Sequence, residues 1–98
     1  MYPIVRKRRL HETVTLMEIK AERTARKARP GQFIILRIDE NGERIPLTVA
    51  DTDPERGTVT IIFQKVGATT KRLDLLEEGD ALLDFVGPLG KASELEGM

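Results

Sequence analysis

Ninety-eight residues, 40% of them apolar and 33% charged, fit one compact domain with a single core and leave no room for a second. The absence of cysteine excludes a disulfide framework and thiolate-held zinc or iron–sulfur sites within the chain, and it fits a cytoplasmic setting. No apolar run approaches the roughly twenty residues that span a bilayer, and the charges at Arg6 to Arg9 lack the apolar stretch that follows them in a signal peptide.

Ile4 to Leu10 is short and polar at most positions, so it reads as an edge strand or as one whose Arg and Lys stems lie over apolar neighbours. Thr13 to Ala21 is a second strand whose apolar residues change phase, Val14 and Leu16 on one parity and Met17 and Ile19 on the other. A bulge near Leu16 and Met17 would restore a single inward face. Ala21 to Ala28 could hold a helical turn, ended by Pro30-Gly31. Phe33 to Ile38 is almost continuously apolar, as expected of a central strand. Asn41-Gly42 is a hairpin signal that pairs it antiparallel with Arg44 to Ala50. After the turn residues Asp53 to Gly57, Thr58 to Lys65 sets Val59, Ile61 and Phe63 on one face of a further strand. From Thr69 or Thr70 the spacing turns helical, with Leu73 and Leu76 three apart, a threonine N-cap and Gly79 beyond the end. Ala81 to Val86 alternates again before Gly87-Pro88. The expected fold is all-β: a six-stranded antiparallel Greek-key barrel with one short helix, over residues 1–90. Residues 91–98 read as a linker.

Three segments could carry chemistry. Gly67-Ala68-Thr69-Thr70 stands at the start of the helix, where glycine allows close approach, hydroxyls donate and free amides attract an anion such as phosphate. The same residues would equally serve as a turn and a helix cap. In Arg44 to Thr48, Pro46 interrupts a strand and leaves backbone groups free for something else, such as a flat ring. Period-two geometry sets Arg44 and Thr48 on one face and Ile45, Leu47 and Val49 on the other. A surface ion pair for Arg44 and an aggregation-blocking proline explain the segment as well. Val86-Gly87-Pro88-Leu89-Gly90 is a strand and rigid turn, or a connector.

The remaining polar residues offer less. His11, the only histidine, has no second ligand for a metal and reads as a solvated turn residue. No nucleophile–base pair, close carboxylate pair or Walker loop appears, so no catalytic residue is assigned. Residues 1 to 29 hold nine Lys or Arg against three Glu. That basic third, including Arg6 to Arg9, Arg23, Arg26, Lys27 and Arg29, suits an RNA or protein partner. A lone Tyr and no Trp give base stacking little support, and a solvated face accounts for the charges.

Taken together, Pro30-Gly31-Gln32-Phe33, Arg44-Ile45-Pro46-Leu47-Thr48, Phe63 to Thr70 and Gly87-Pro88-Leu89-Gly90 resemble the flavin-binding barrel of the ferredoxin–NADP reductase superfamily. The similarity is to its electron-transfer-subunit branch, which serves dihydroorotate dehydrogenase or NADH-dependent reduced ferredoxin:NADP oxidoreductase, also called sulfide dehydrogenase. The resemblance implies FAD, with Arg44 near the pyrophosphate and Pro46, Leu47 and Thr48 along the ring. It further implies Phe63, Gln64 and Val66 beside the ribityl or adenosine portion, and Gly67, Ala68, Thr69 and Thr70 on the pyrophosphate. A larger catalytic subunit as partner, and NAD(P)H acting through a further domain, follow from the same resemblance. Plant-type members place a tyrosine on the ring and a serine or threonine three residues after the arginine; here Leu47 precedes Thr48 and the spacing is four, which implies weaker stacking. No nicotinamide-binding fingerprint follows Gly90 and no cysteine is available for the family's [2Fe–2S] cluster, so the barrel alone is expected to be inactive as an oxidoreductase.

Overall fold

The computed structural model describes residues 1–89; Gly90 and the expected linker at 91–98 lie outside the described residues. The elements run β1 (Tyr2–His11), β2 (Val14–Lys20), α1 (Glu22–Lys27), β3 (Phe33–Arg37), β4 (Ile45–Asp53), β5 (Thr58–Gln64), α2 (Ala68–Asp74), β6 (Ala81–Leu82) and β7 (Asp84–Leu89). The strands form one antiparallel sheet in the order β6-β1-β2-β5-β4-β3-β7. β2 therefore pairs with β5 rather than with the next strand in sequence, which is the Greek-key step.

The sheet is brought round into a barrel by a bend. β6 and β7 stand at opposite ends of the strand order yet only Leu83 separates them in sequence. The Leu83 amide donates to the carbonyls of Arg37 and Ile38, at 3.0 and 3.1 Å, while Leu82 pairs with Tyr2 and Asp84 with Arg37. One segment thus serves two neighbours, and seven strands replace the expected six. Nothing in the alternation of Ala81 to Val86 marks the break, because the bend is imposed by the partners on either side.

The helix count also changes from one to two. α1 is short but well seated, since Ala21, Ala25 and Ala28 are all buried and their small side chains let the helix lie close to the barrel end. Thr24 adds a hydrogen bond from its hydroxyl to the Gly87 carbonyl, 3.2 Å.

The bulge expected in β2 is absent. Its register with β5 runs unbroken from Val14↔Gln64 to Lys20↔Thr58, and the inward face is Thr15, Met17 and Ile19. A buried threonine holds the inward position that the apolar pattern seemed to skip, so Val14 and Leu16 simply face outward. The register shifts fall on β1 instead, between Ile4 and Arg6 and between Arg9 and His11. Past Ile4, β1 has a strand neighbour on one side only, in keeping with its edge-strand composition. Lys7 runs its stem inward there and donates to the carbonyls of Asp74 and Leu76. The core of Ile4, Met17, Ile19, Ile34, Leu36 and Ile61 is fully enclosed.

Candidate functional site

β4 has two halves with different neighbours. Ile45 to Thr48 pairs with β3, whereas pairing with β5 begins only at Val49↔Ile61. β5 meanwhile stays bonded to β2 as far as Gln64. The strands therefore part, and Ile45–Thr48 faces Ile62–Gln64 across a cleft of about 390 Å³. Pro46 is a local reason for the opening, since it has no N–H to offer a ladder. The expectation that this proline frees a stretch of strand is met.

The cleft gathers Pro46, Leu47, Thr48, Phe63, Gln64, Val66 and Thr70 from the sequence candidates. It adds Ile45 and Ile62, which the sequence reading did not single out. Ile62 had a signal: it lies on the opposite parity to Val59, Ile61 and Phe63 and stays 42% exposed, an isoleucine facing outward beside a gap. Val66, at 76% exposure, presents a second apolar side chain at the rim.

The far end of the cleft is the start of α2. Gly67 is the N-cap, in place of the threonine expected there. Thr70 sits three residues on, and its hydroxyl accepts from the amides of Val66 and Gly67, both at 3.0 Å, while donating to the Gly67 carbonyl at 3.1 Å. That arrangement fixes the turn and leaves the amides of Ala68 and Thr69 without a preceding helical turn to receive them. A Cβ built on Gly67 meets nothing within 4 Å, so the approach to the turn is open.

Ala68 and Thr69 line an adjoining cleft of about 220 Å³ with Asn41, Gly42, Glu43 and Arg72. Arg72 holds the Asp39 carboxylate with both terminal nitrogens and so ties the β3–β4 loop to α2. The hydrogen bond from Arg72 keeps the Asp39 carboxyl below its ordinary value, helped by the Arg72 charge and the amides of Asn41 and Gly42, against a smaller opposing effect of burial. Arg44 lines neither cleft. Its Nη2 lies 3.6 Å from Asp84 Oδ2, and the same oxygen is held more closely by Arg37, at 2.8 Å. Asp84, Arg37 and Arg44 occupy one end of the outer sheet face; the rows beyond them carry Val86, Ile35 and Pro46, then Leu89, Phe33 and Thr48.

Comparison with known proteins adds relatives of matching sequence and fold. No family model matches the chain. A Thermotoga maritima protein named as a homolog of the electron transfer subunit of dihydroorotate dehydrogenase B is 50% identical over 93 residues, 95% of this chain and 33% of its own length. The solved structure of an NADH-dependent reduced ferredoxin–NADP oxidoreductase, studied for flavin-based electron bifurcation, superposes with a TM-score of 0.90 at 48% identity, over 93% of this chain and 33% of that one. Over nearly its whole length the chain is similar to members of the ferredoxin–NADP reductase superfamily. Proteins named as electron transfer subunits of dihydroorotate dehydrogenase B recur among its relatives. A Clostridium beijerinckii relative known only as an uncharacterized protein in the adh 3' region is 58% identical over 96% of the chain. The cytochrome b5 reductase domain of Ulva prolifera nitrate reductase, at 17% identity and a TM-score of 0.65, shares the fold of this superfamily barrel. The chain spans about a third of the length of the curated relatives it matches, 32% and 33% for the two named here. Among the described residues no helix is long and apolar enough to cross a membrane.

Proposed function

We propose that this barrel is the FAD-binding domain of an electron-transfer flavoprotein subunit. The parted seam between β4 and β5, with the start of α2 at its end, carries the reading. A flat ring needs an apolar slot with free backbone groups at its rim, and a diphosphate needs unshielded donors. Ile45, Leu47, Ile62 and Val66 supply apolar wall, and the open turn at Gly67 with the amides of Ala68 and Thr69 supplies the donors. The residues present fit the cofactor.

In this arrangement Pro46, Leu47 and Thr48 lie along the isoalloxazine, and Phe63, Gln64 and Val66 flank the ribityl or adenosine portion. Gly67, Ala68, Thr69, Thr70 and Arg44 attend the diphosphate. FAD held there would supply the redox chemistry linking NAD(P)H to a one-electron acceptor such as an iron–sulfur centre. The chain's part is to bind and orient. Leu47 gives the ring contact without aromatic stacking, and Thr48 offers a hydroxyl on the exposed face of β4. A nicotinamide-binding domain and a larger catalytic subunit are the proposed partners, following the names of the relatives.

The basic N-terminal third gives less support to an RNA- or protein-binding module. Arg6, Lys7, Arg9 and Lys20 each have an acidic partner within the barrel, which leaves Arg8, Arg23, Arg26, Lys27 and Arg29 to face solvent. Titration of the purified chain with FAD, followed by flavin fluorescence, tests the choice. Saturable quenching is expected; salt-sensitive RNA binding without any flavin binding would reverse it.

A further inference from the structure

We infer that Asp84 is a positioning residue that holds Arg44 away from the flavin cleft, so that a ligand must carry phosphate to draw Arg44 onto itself. The inference rests on the FAD reading above and names a device that makes the site selective for a phosphorylated flavin. Arg44 stands just before β4, on the parity of its exposed residues Pro46 and Thr48. Its neighbours Glu43 and Ile45 line the two clefts that meet at α2, yet Arg44 itself is turned toward β7.

Two cations share the Asp84 carboxylate unequally. Arg37 holds it through Nε and Nη2, at 2.9 and 2.8 Å, with a side chain only 22% exposed. Arg44 reaches the same oxygen at 3.6 Å with a side chain 61% exposed. Arg44 is therefore the looser partner, and an exposed ion pair of that length costs little to break. When Arg44 leaves, Arg37 still neutralises Asp84, so no bare carboxylate remains. A diphosphate offers more charge and more acceptor oxygens than the shared carboxylate and competes successfully for the guanidinium. A flavin without phosphate offers nothing to exchange and leaves Arg44 on Asp84.

The test compares FAD and riboflavin binding, at low ionic strength, by the wild-type chain and by Asp84→Asn, Arg37→Gln, Asp51→Asn and the double variant Asp84→Asn/Arg44→Gln. Asp84→Asn is expected to bind FAD about two- to fivefold tighter, the scale of an exposed ion pair, and riboflavin as before. Arg37→Gln leaves Asp84 to Arg44 alone and is expected to bind FAD more weakly by a similar factor. The double variant should lose the gain, and Asp51→Asn, a remote neutralisation, should match wild type. A general loss of fold integrity can only weaken binding, so the gain in Asp84→Asn separates positioning from structure. Unchanged or weaker FAD binding by a folded Asp84→Asn, or an equal gain for riboflavin, would overturn the inference while leaving the FAD reading in place. Should Asp84→Asn fail to fold, unchanged FAD affinity in Arg37→Gln would overturn it instead. Absence of binding by wild type to either flavin would remove the FAD reading and this inference with it.

Discussion

The carboxylate of Asp74, at the end of α2, accepts a hydrogen bond from the hydroxyl of Thr15 near the start of β2, and both side chains are buried. Arg9 Nη2 lies 2.8 Å from the same carboxylate and Lys65 Nζ 3.5 Å. These contacts hold the helix that ends the cleft against the barrel wall. Burial alone raises the Asp74 carboxyl, but the hydrogen bonds from Arg9 and Thr15 and the charges of Arg9 and Lys7 outweigh it and bring the pKa down to about 2.

A carboxyl depressed in the folded state stabilises the fold fully above its ordinary value of 3.8 and loses that contribution as pH falls toward 2. The contribution is on the order of 2 kcal/mol. Asp74→Asn should therefore be less stable than wild type at pH 7, with the gap closing between about pH 4 and pH 2. Urea unfolding of both proteins across that range checks it; equal stability at pH 7 would show that the carboxylate contributes nothing.

Thr70→Ala should weaken FAD binding by about 1–3 kcal/mol, the scale of a hydrogen bond to a charged group or of one lost from an ordered turn. Thr70→Ser keeps the hydroxyl that accepts from Val66 and Gly67 and should bind as wild type does. Arg44→Ala should fall in the same range as Thr70→Ala. Fluorescence titration distinguishes these cases, and full affinity in both alanine variants would move the diphosphate elsewhere.

Ile62→Gln removes apolar wall from the cleft without touching the core. FAD and riboflavin should both bind more weakly by about 1 kcal/mol, with thermal stability within about 0.5 kcal/mol of wild type. A loss confined to FAD would argue that the ring lies away from β5.

Two glycines should respond oppositely. At Gly87, with φ +153, a Cβ would lie 2.7 Å from Ile34 Cγ2 and 3.1 Å from the Phe33 carbonyl oxygen, so Gly87→Ala should destabilise the barrel by about 1–3 kcal/mol. Gly67→Ala meets open space and should cost at most about 1 kcal/mol, the penalty of alanine at an N-cap. Its effect should appear in FAD affinity instead. Melting curves beside flavin titrations separate the two.

Much of this architecture is legible in the sequence because it depends on local signals. The alternation of Val59, Ile61 and Phe63, the turn residues at 53 to 57 and the proline in β4 mark strands, a hairpin and a gap without reference to distant residues. The missed features involve partners far along the chain. Thr15 looks like a fault in an apolar pattern until Asp74, fifty-nine residues later, is seen to satisfy it. The bend at Leu83 needs the carbonyls of Arg37 and Ile38 to draw it out of line. The turning of Arg44 toward β7 depends on Asp84, which no window around residue 44 contains. The cleft was legible as a set of residues because its walls come from two contiguous segments, but Ile45 and Ile62 became members only when the strands were seen to part.

The bent segment Ala81–Leu89 has a bearing on how the protein comes into being. Both of its halves complete the wall, one beside β1 and the other beside β3, and among the described strands they are the last of the barrel to leave the ribosome. A nascent chain halted before residue 81 would hold the cleft residues but leave β1 and β3 as open edges. Loading of a cofactor during synthesis would have to wait for residues 81–89 to clear the exit tunnel.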